Sequence, residues 1–410
     1  MCVHPARQNA LRWWVRGGCL ALGSVLVVGW LVARGLPTKQ RPEPAAQSST
    51  NTVFHCRPGP WGDLECEEIT LTPPDEFVPE HLSAVGLSWW SFPGQNRAAV
   101  ERQLAALGLT EKELESLRQA PWEETGTGTR VVPPVPLLLG LTPEVRARLY
   151  EWLARLGDNP AQSDPCRLDL GKAGSRLANT RLAPATVALV NQLSYRAGGA
   201  VLFADAGLAL ALLPHDAARR ELHAALVSAP SLLAHLRVAP GADVRPLVEY
   251  WGRGGRHSAV KPLLTSLAQR PGSSTIEIVY LLPPLVRQRL YTYPAGATDP
   301  TGDCHWSSLN FFRPQPNKEF ATIQGATQEI LENYFPVLIG GPMLGDLLLF
   351  LDSQGVVVHS CVFIADEIVF TKNGSSLTAP WTLNTLSQVL ATYQIAGPLH
   401  IELRRSCEPL

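Results

Sequence analysis

Charge is what this chain is short of. Only 17 % of its 410 residues are charged, and 35 basic side chains against 36 acidic ones leave a formal net charge of −1. No broad positive field is available to gather nucleic acid, so no nucleic-acid partner is expected. Neither a glycine-rich nucleotide loop nor a Cys/His spacing of the zinc-binding kind occurs, and no cofactor or metal is expected. There is also no internal repeat of fixed period. Turn formers are plentiful instead, with 35 Pro and 33 Gly, which argues for many loops rather than coiled coil. The length alone suggests two or three domains.

One long apolar run exists, near the N-terminus. Gly17 to Ala33 are uncharged and mostly apolar, with Arg7, Arg12 and Arg16 before them and Arg34, Lys39 and Arg41 after. The run is just long enough to span a bilayer, and Trp13 and Trp14 suit an interface. The expectation is a signal-anchor transmembrane helix with its N-terminus cytoplasmic and the bulk of the chain exported to the periplasm or cell exterior, which makes the membrane a partner. The alternative is a signal peptide cut after Leu31-Val32-Ala33, although Leu and Arg flank that site poorly. Residues 1–35 are thus read as cytoplasmic tip and membrane helix, and residues 36–51 as a polar linker.

Cysteine usage agrees with export. Cys56 and Cys66 flank RPGPWGDLE, which reads as a hairpin tip, and a disulfide across it suits an oxidising compartment. Residues 52–93 are taken as a small β-hairpin region. Residues 94–275 read as a mainly helical domain. Thr110 to Glu113 form a capping box, and Thr142-Pro143 opens a helix with Leu149, Trp152, Leu153 and Leu156 on one face. Further helices are expected over Pro184–Tyr195, Ala217–Ser228, Ser231–Arg237, Val244–Trp251 and His257–Gln269. The run from Gly198 to Pro214 suggests a hairpin turning at Asp205-Ala206-Gly207, though a buried helix gives the same apolar pattern.

The chemistry concentrates between Tyr291 and Gly374. A loop rich in Pro, Gly and Asp ends at Asp303-Cys304 and gives way to an amphipathic run. Strands follow, turning at Asp352 to Gly355, and His359 lies on the second of them. A helix N-terminus and a nearby imidazole are what a catalytic thiolate needs. His305, next to Cys304, is expected to point elsewhere, since adjacent helical residues do not face each other. Cys361, two residues from His359, shares its side of the strand by alternation.

These residues resemble the NlpC-type cysteine peptidases of bacterial cell-wall turnover. Tyr291-Thr292-Tyr293-Pro294 stands where the family's aromatic motif belongs, and Asp303-Cys304 where its nucleophile belongs. Gly345-Asp346-Leu347 and His359-Ser360-Cys361-Val362-Phe363 follow in family order. The resemblance covers roughly Leu281 to Arg405 and implies a papain-like α+β domain with an antiparallel sheet over residues 276–410. It departs at Pro294-Ala295, which replace a double glycine, and after Cys304, where His-Trp-Ser-Ser-Leu replaces Ser-Gly-Leu.

What the resemblance implies is amide hydrolysis through a thioester, with Cys304 as nucleophile and His359 as base. Tyr291, Tyr293 and Asp303 would contact substrate, and the substrate would be peptidoglycan stem peptides. Strand parity bears on the third catalytic position. A two-residue turn at Asp366-Glu367 puts Lys372 on the face of His359, whereas a three-residue turn puts Thr371 and Asn373 there. Because a cation does not help an imidazolium, Asn373 is favoured, with Thr371 as the other candidate. Two rival readings stand beside hydrolysis. One is acyl transfer or another amide chemistry on the same fold, and the other is a non-catalytic envelope protein that binds an unidentified partner. The expected fold is therefore α+β, with a membrane helix, a helical middle domain and a papain-like C-terminal domain.

Overall fold

A computed structural model describes residues 53–74, 89–163, 165–169, 175–177, 180–294, 302–374, 378–394 and 397–407. The described residues begin with the antiparallel pair β1 (Val53–His55) and β2 (Asp63–Leu71). It then builds a unit with its own core. Strands β3 (Trp90–Pro93), β4 (Trp122–Thr125) and β5 (Gly128–Val131) form a sheet in the order β3-β5-β4. Strands β6 (Cys166–Arg167), β7 (Tyr195–Ala197) and β8 (Ala200–Phe203) form another in the order β6-β8-β7.

Helices surround these small sheets, and their starts are written in the sequence. Thr110 accepts from the Glu113 N–H while Glu113 accepts from the Thr110 N–H, a reciprocal capping box that opens Glu111–Arg118. Thr142 caps Pro143–Arg155, with proline at the position where a missing N–H costs nothing. That helix buries Leu149, Tyr150 and Leu153 against Trp90, Leu193 and Tyr195 in one core.

The chain then returns. Strand β9 (Ala229–Val238) pairs with β2 along its whole length, from Asp63 opposite Arg237 to Leu71 opposite Ala229. Strand β10 (Ser274–Glu277) joins its other edge, giving the sheet β1-β2-β9-β10. The last sheet is antiparallel throughout. It contains β11 (Tyr334–Pro336), β12 (Leu347–Leu351), β13 (Val357–Ala365), β14 (Ile368–Lys372), β15 (Trp381–Thr385) and β16 (His400–Ser406), in the order β11-β16-β12-β13-β14-β15. Ser231 of β9 both donates to the Leu383 carbonyl and accepts from the Leu383 N–H, which ties the two larger sheets together at β15.

The fold departs from several expectations. The fold is a mixture of helices and antiparallel sheets, but no helix among the described residues is long and apolar enough to cross a membrane. The membrane helix expected over Gly17–Ala33 lies outside the described residues. The middle of the chain holds more helix than strand, but it also carries strands of three different sheets. The cores do not divide at residues 94 and 275. One core spans Trp90 to Leu226, and a second combines Leu64 and Cys66 with Leu232–Val238 and with residues 248–383. Ser231–Arg237 is strand rather than helix because Leu232, Ala234, Leu236 and Val238 repeat with period two and are all buried. The hairpin expected at Asp205 to Gly207 is instead the start of a helix, Ala206–Leu212, and the β7–β8 turn falls at Gly198-Gly199 with positive φ at both.

The first core contains a charge. Arg146 is fully buried and donates to Asp205 Oδ2 at 2.5 Å, to the Tyr150 hydroxyl at 3.1 Å and to the Leu138 carbonyl. Tyr150 in turn donates to Asp205 at 2.7 Å. Burial, resisted by Arg146, raises the Asp205 pKa above the usual carboxylate range. Removing one partner of such a pair strands the other charge in low dielectric. Asp205→Ala is therefore expected to cost about 3–5 kcal/mol in urea unfolding, and a loss below about 1 kcal/mol would show that the network contributes little.

Candidate functional site

Cys304 is the first residue of the helix Cys304–Leu309. The helix starts there because Asp303 caps it, with Oδ1 accepting from the His305 N–H at 2.9 Å and the Trp306 N–H at 3.0 Å. Ser307 Oγ donates to the Asp303 carbonyl and accepts from Trp381 Nε1 at 2.9 Å, which fixes the helix against β15. Asn310 finishes it, donating to the carbonyls of Trp306 and Asn317. All six helical residues are buried, with Cys304 6 % and His305 4 % exposed.

His305 does not point away from Cys304. Its Nδ1 lies 2.9 Å from Ser360 Oγ on β13. The Cys304 thiol, a His305 ring nitrogen and an Asp303 carboxylate oxygen all lie within 4.8 Å of one another. Adjacent residues do not share a helix face, but their polar atoms can still approach to this distance. The trio also offers a thiol, an imidazole and a carboxylate to a cation, the one such group among the described residues. Sequence spacing concealed it because the donors are consecutive and match no metal-binding repeat. Burial, opposed by the Asp303 carboxylate, holds the His305 pKa below its usual value.

His359 is elsewhere. Alternation along β13 sends Ser360, Val362 and Ile364 toward the Cys304 helix and sends His359, Cys361 and Phe363 to the other face. There the His359 ring stacks on Tyr393 at 4.1 Å, beneath the helix Leu386–Tyr393. Its Nε2 is 3.0 Å from Thr371 Oγ1, which donates to Asn373 Oδ1 at 3.2 Å. Since the Thr371 proton goes to Asn373, Thr371 accepts from Nε2–H, and Nδ1 carries the lone pair. Nδ1 is buried without a hydrogen-bond partner, so the Cys304 thiol does not reach it. The expected Cys304–His359 dyad is thus not formed. Cys361 is a packed thiol, its pKa raised well above normal by burial and then by Cys304.

The turn at Asp366-Glu367 has two residues, yet the register slips between Phe363 and Ala365, and this bulge gives the parity of the longer turn. Thr371 therefore meets His359, with Asn373 one step further along the relay. Lys372 is fully buried on the opposite side, donating to the Gly374 carbonyl at 2.8 Å with its ammonium 5.5 Å from the Trp381 ring centre. The tyrosines are not at the thiol either. Tyr291 donates to the Leu232 carbonyl at 2.8 Å and Tyr293 to the Leu71 carbonyl at 3.0 Å, so both hydroxyls bind the β2–β9 sheet. Asp303 serves as the helix cap. Cys56 and Cys66 are brought together as free thiols, their sulfurs 3.7 Å apart.

No family model, curated protein or solved structure matches this chain. The likeness to NlpC-type peptidases rests on the order of its motifs.

The buried imidazole has a consequence for stability. Unfolded, His305 takes up its proton near pH 6.5; folded, it resists until a lower pH. Stability from this group is complete above about pH 6.5 and declines below it, by up to roughly 1.4 kcal/mol per pH unit, until the folded pKa is reached. Urea midpoints measured from neutral to mildly acidic pH should fall in the native protein and fall less in His305→Gln. Equal slopes would show that His305 does not control this window.

Proposed function

We propose that the chain is a cysteine-dependent amide hydrolase in which Cys304 is the nucleophile and His305, rather than His359, is its base. The observation that carries this reading is the approach of thiol, imidazole and carboxylate within 4.8 Å. When His305 Nδ1–H donates to Ser360, Nε2 bears a lone pair, and burial favours the neutral ring that a base requires. Proton transfer from Cys304 to His305 frees the thiolate to attack an amide carbon. Collapse of the tetrahedral intermediate expels the amine with the proton from His305, leaving a thioester. Water, deprotonated by the same ring, then releases the acid and restores the thiol. Ser360 orients the ring as the third member of a triad orients its base. The motif order supports peptidoglycan stem peptides as the first substrates to try.

One observation favours a second reading. Cys304 and His305 are each more than nine-tenths buried, which suits a domain that keeps the peptidase-like arrangement for binding without turnover.

Digestion of purified peptidoglycan with mass analysis of the products separates the two. Cys304→Ala should abolish cleavage, and His305→Gln should lower it by about 10²–10⁴-fold. Thr371→Val, which breaks only the relay on the far face, should leave the rate within a few-fold. Loss of activity in Thr371→Val but not in His305→Gln would assign the base to His359 instead. Absence of cleavage, together with no alkylation of Cys304 by iodoacetamide near neutral pH, would favour the binding protein.

A further inference from the structure

The Cys304 site leaves a second pair of thiols unused. Cys66 is fully buried in β2, and Cys56 continues the ladder of β1, donating its N–H to the Leu64 carbonyl at 3.0 Å. Since Phe54 lies opposite Cys66, the two cysteines are diagonal neighbours on one face of the hairpin. Their sulfurs are in contact at 3.7 Å, and Cys56 is partly exposed. What they enclose is an anchored loop. Trp61 packs edge-on against Tyr250 and Phe363, and its carbonyl accepts from Trp251 Nε1 at 3.0 Å. Next to Cys56, the Arg57 backbone N–H and Nε both donate to Asp366 in the β13–β14 turn, at 2.9 and 2.7 Å.

We infer that Cys56 and Cys66 form a reversible redox pair, oxidised to an intrachain disulfide by thiol–disulfide exchange with a small-molecule or protein disulfide. The fold already brings the two sulfurs into contact across the hairpin. Closing the sulfurs from 3.7 Å to the bond length of about 2.05 Å draws this diagonal pair of residues together. The exposed partner reacts first. Cys56, as thiolate, attacks the incoming disulfide to give a mixed disulfide and one free thiol. Cys66 then loses its proton and attacks Cys56 Sγ, expelling the second thiol. Two electrons and two protons pass from the cysteines to the incoming disulfide. The inward position of Cys66 keeps it from reacting first, and the hydrogen bond with Cys56, together with burial, raises its pKa. The oxidised loop would hold Arg57 on Asp366 more firmly, and through it the turn joining β13 to β14. This inference is independent of any role for Cys304.

The test uses the full-length protein equilibrated with oxidised or reduced glutathione, quenched with N-ethylmaleimide and cut with a glutamate-specific protease. Cleavage after Glu65 separates the two cysteines, so their peptides stay joined only through a disulfide. The expected result is a Cys56–Cys66 linked pair in the oxidised sample, lost on reduction, with a rise in Tm on the order of 5 °C. Cys56→Ser should abolish both the link and the Tm rise. Because Cys56 is partly exposed, that variant should fold with the Tm of the reduced protein. Alkylation of both cysteines after oxidation, or linkage of either to another cysteine, would overturn the inference. So would a Tm rise that persists in Cys56→Ser.

Discussion

The alternation of side chains along the middle of β13, from His359 to Ile364, governs the chemistry this domain can offer. A strand presents successive residues to opposite faces, and one step along the chain moves a group across the full thickness of the sheet. Here that step separates Ser360, which meets His305, from His359, which meets Thr371 and Tyr393. Everything else follows from which face the Cys304 helix occupies. It lies on the side of Val362, Ile364 and Phe370, because Trp306, Leu309 and Phe311 find their core there. The thiol is accordingly offered His305, whose ring Ser360 engages from the strand, and it makes no hydrogen bond to the histidine that its sequence setting suggests.

The far face is not idle structure. His359, Thr371 and Asn373 form a directed chain of hydrogen bonds that fixes one tautomer of a buried ring. Its cost is an Nδ1 acceptor with no partner, of the order of 1–3 kcal/mol for a buried polar atom. Tyr393 stacked on the ring and Phe350 at its edge offset part of that cost through packing. The sheet therefore holds two histidine systems back to back, one against the thiol and one sealed beneath the C-terminal helix.

Much of this was legible in the sequence, and what was not has identifiable causes. Local signals held well. The capping box at Thr110, the proline at the start of Pro143–Arg155, the turn at Asp352 to Gly355 and the helix beginning at Cys304 all depend on neighbouring residues. The Ser231–Arg237 segment misled because its leucines and alanine suit a helix intrinsically, whereas pairing with both β2 and β10 decides its state. The catalytic pairing misled for a related reason. Parity ties His359 to Cys361 and Thr371, but nothing in β13 says from which side a distant helix will dock. The approach of Cys304 and His305 was hidden because the helix-face rule says which residues share a side, not how near the polar atoms of adjacent residues can come.

The ladder between β2 and β9 also bears on how such a chain can be assembled. Leu71 and Ala229 sit opposite each other, so the segment with its own core, Trp90 to Leu226, leaves and re-enters the structure at a single rung. Topologically it is a passenger inserted into a hairpin. Closing so long a loop costs only slightly more entropy than closing a short one, because the cost grows with the logarithm of length. A passenger that folds by itself lowers that cost further by bringing its own ends together. The two strands can then zip as near neighbours.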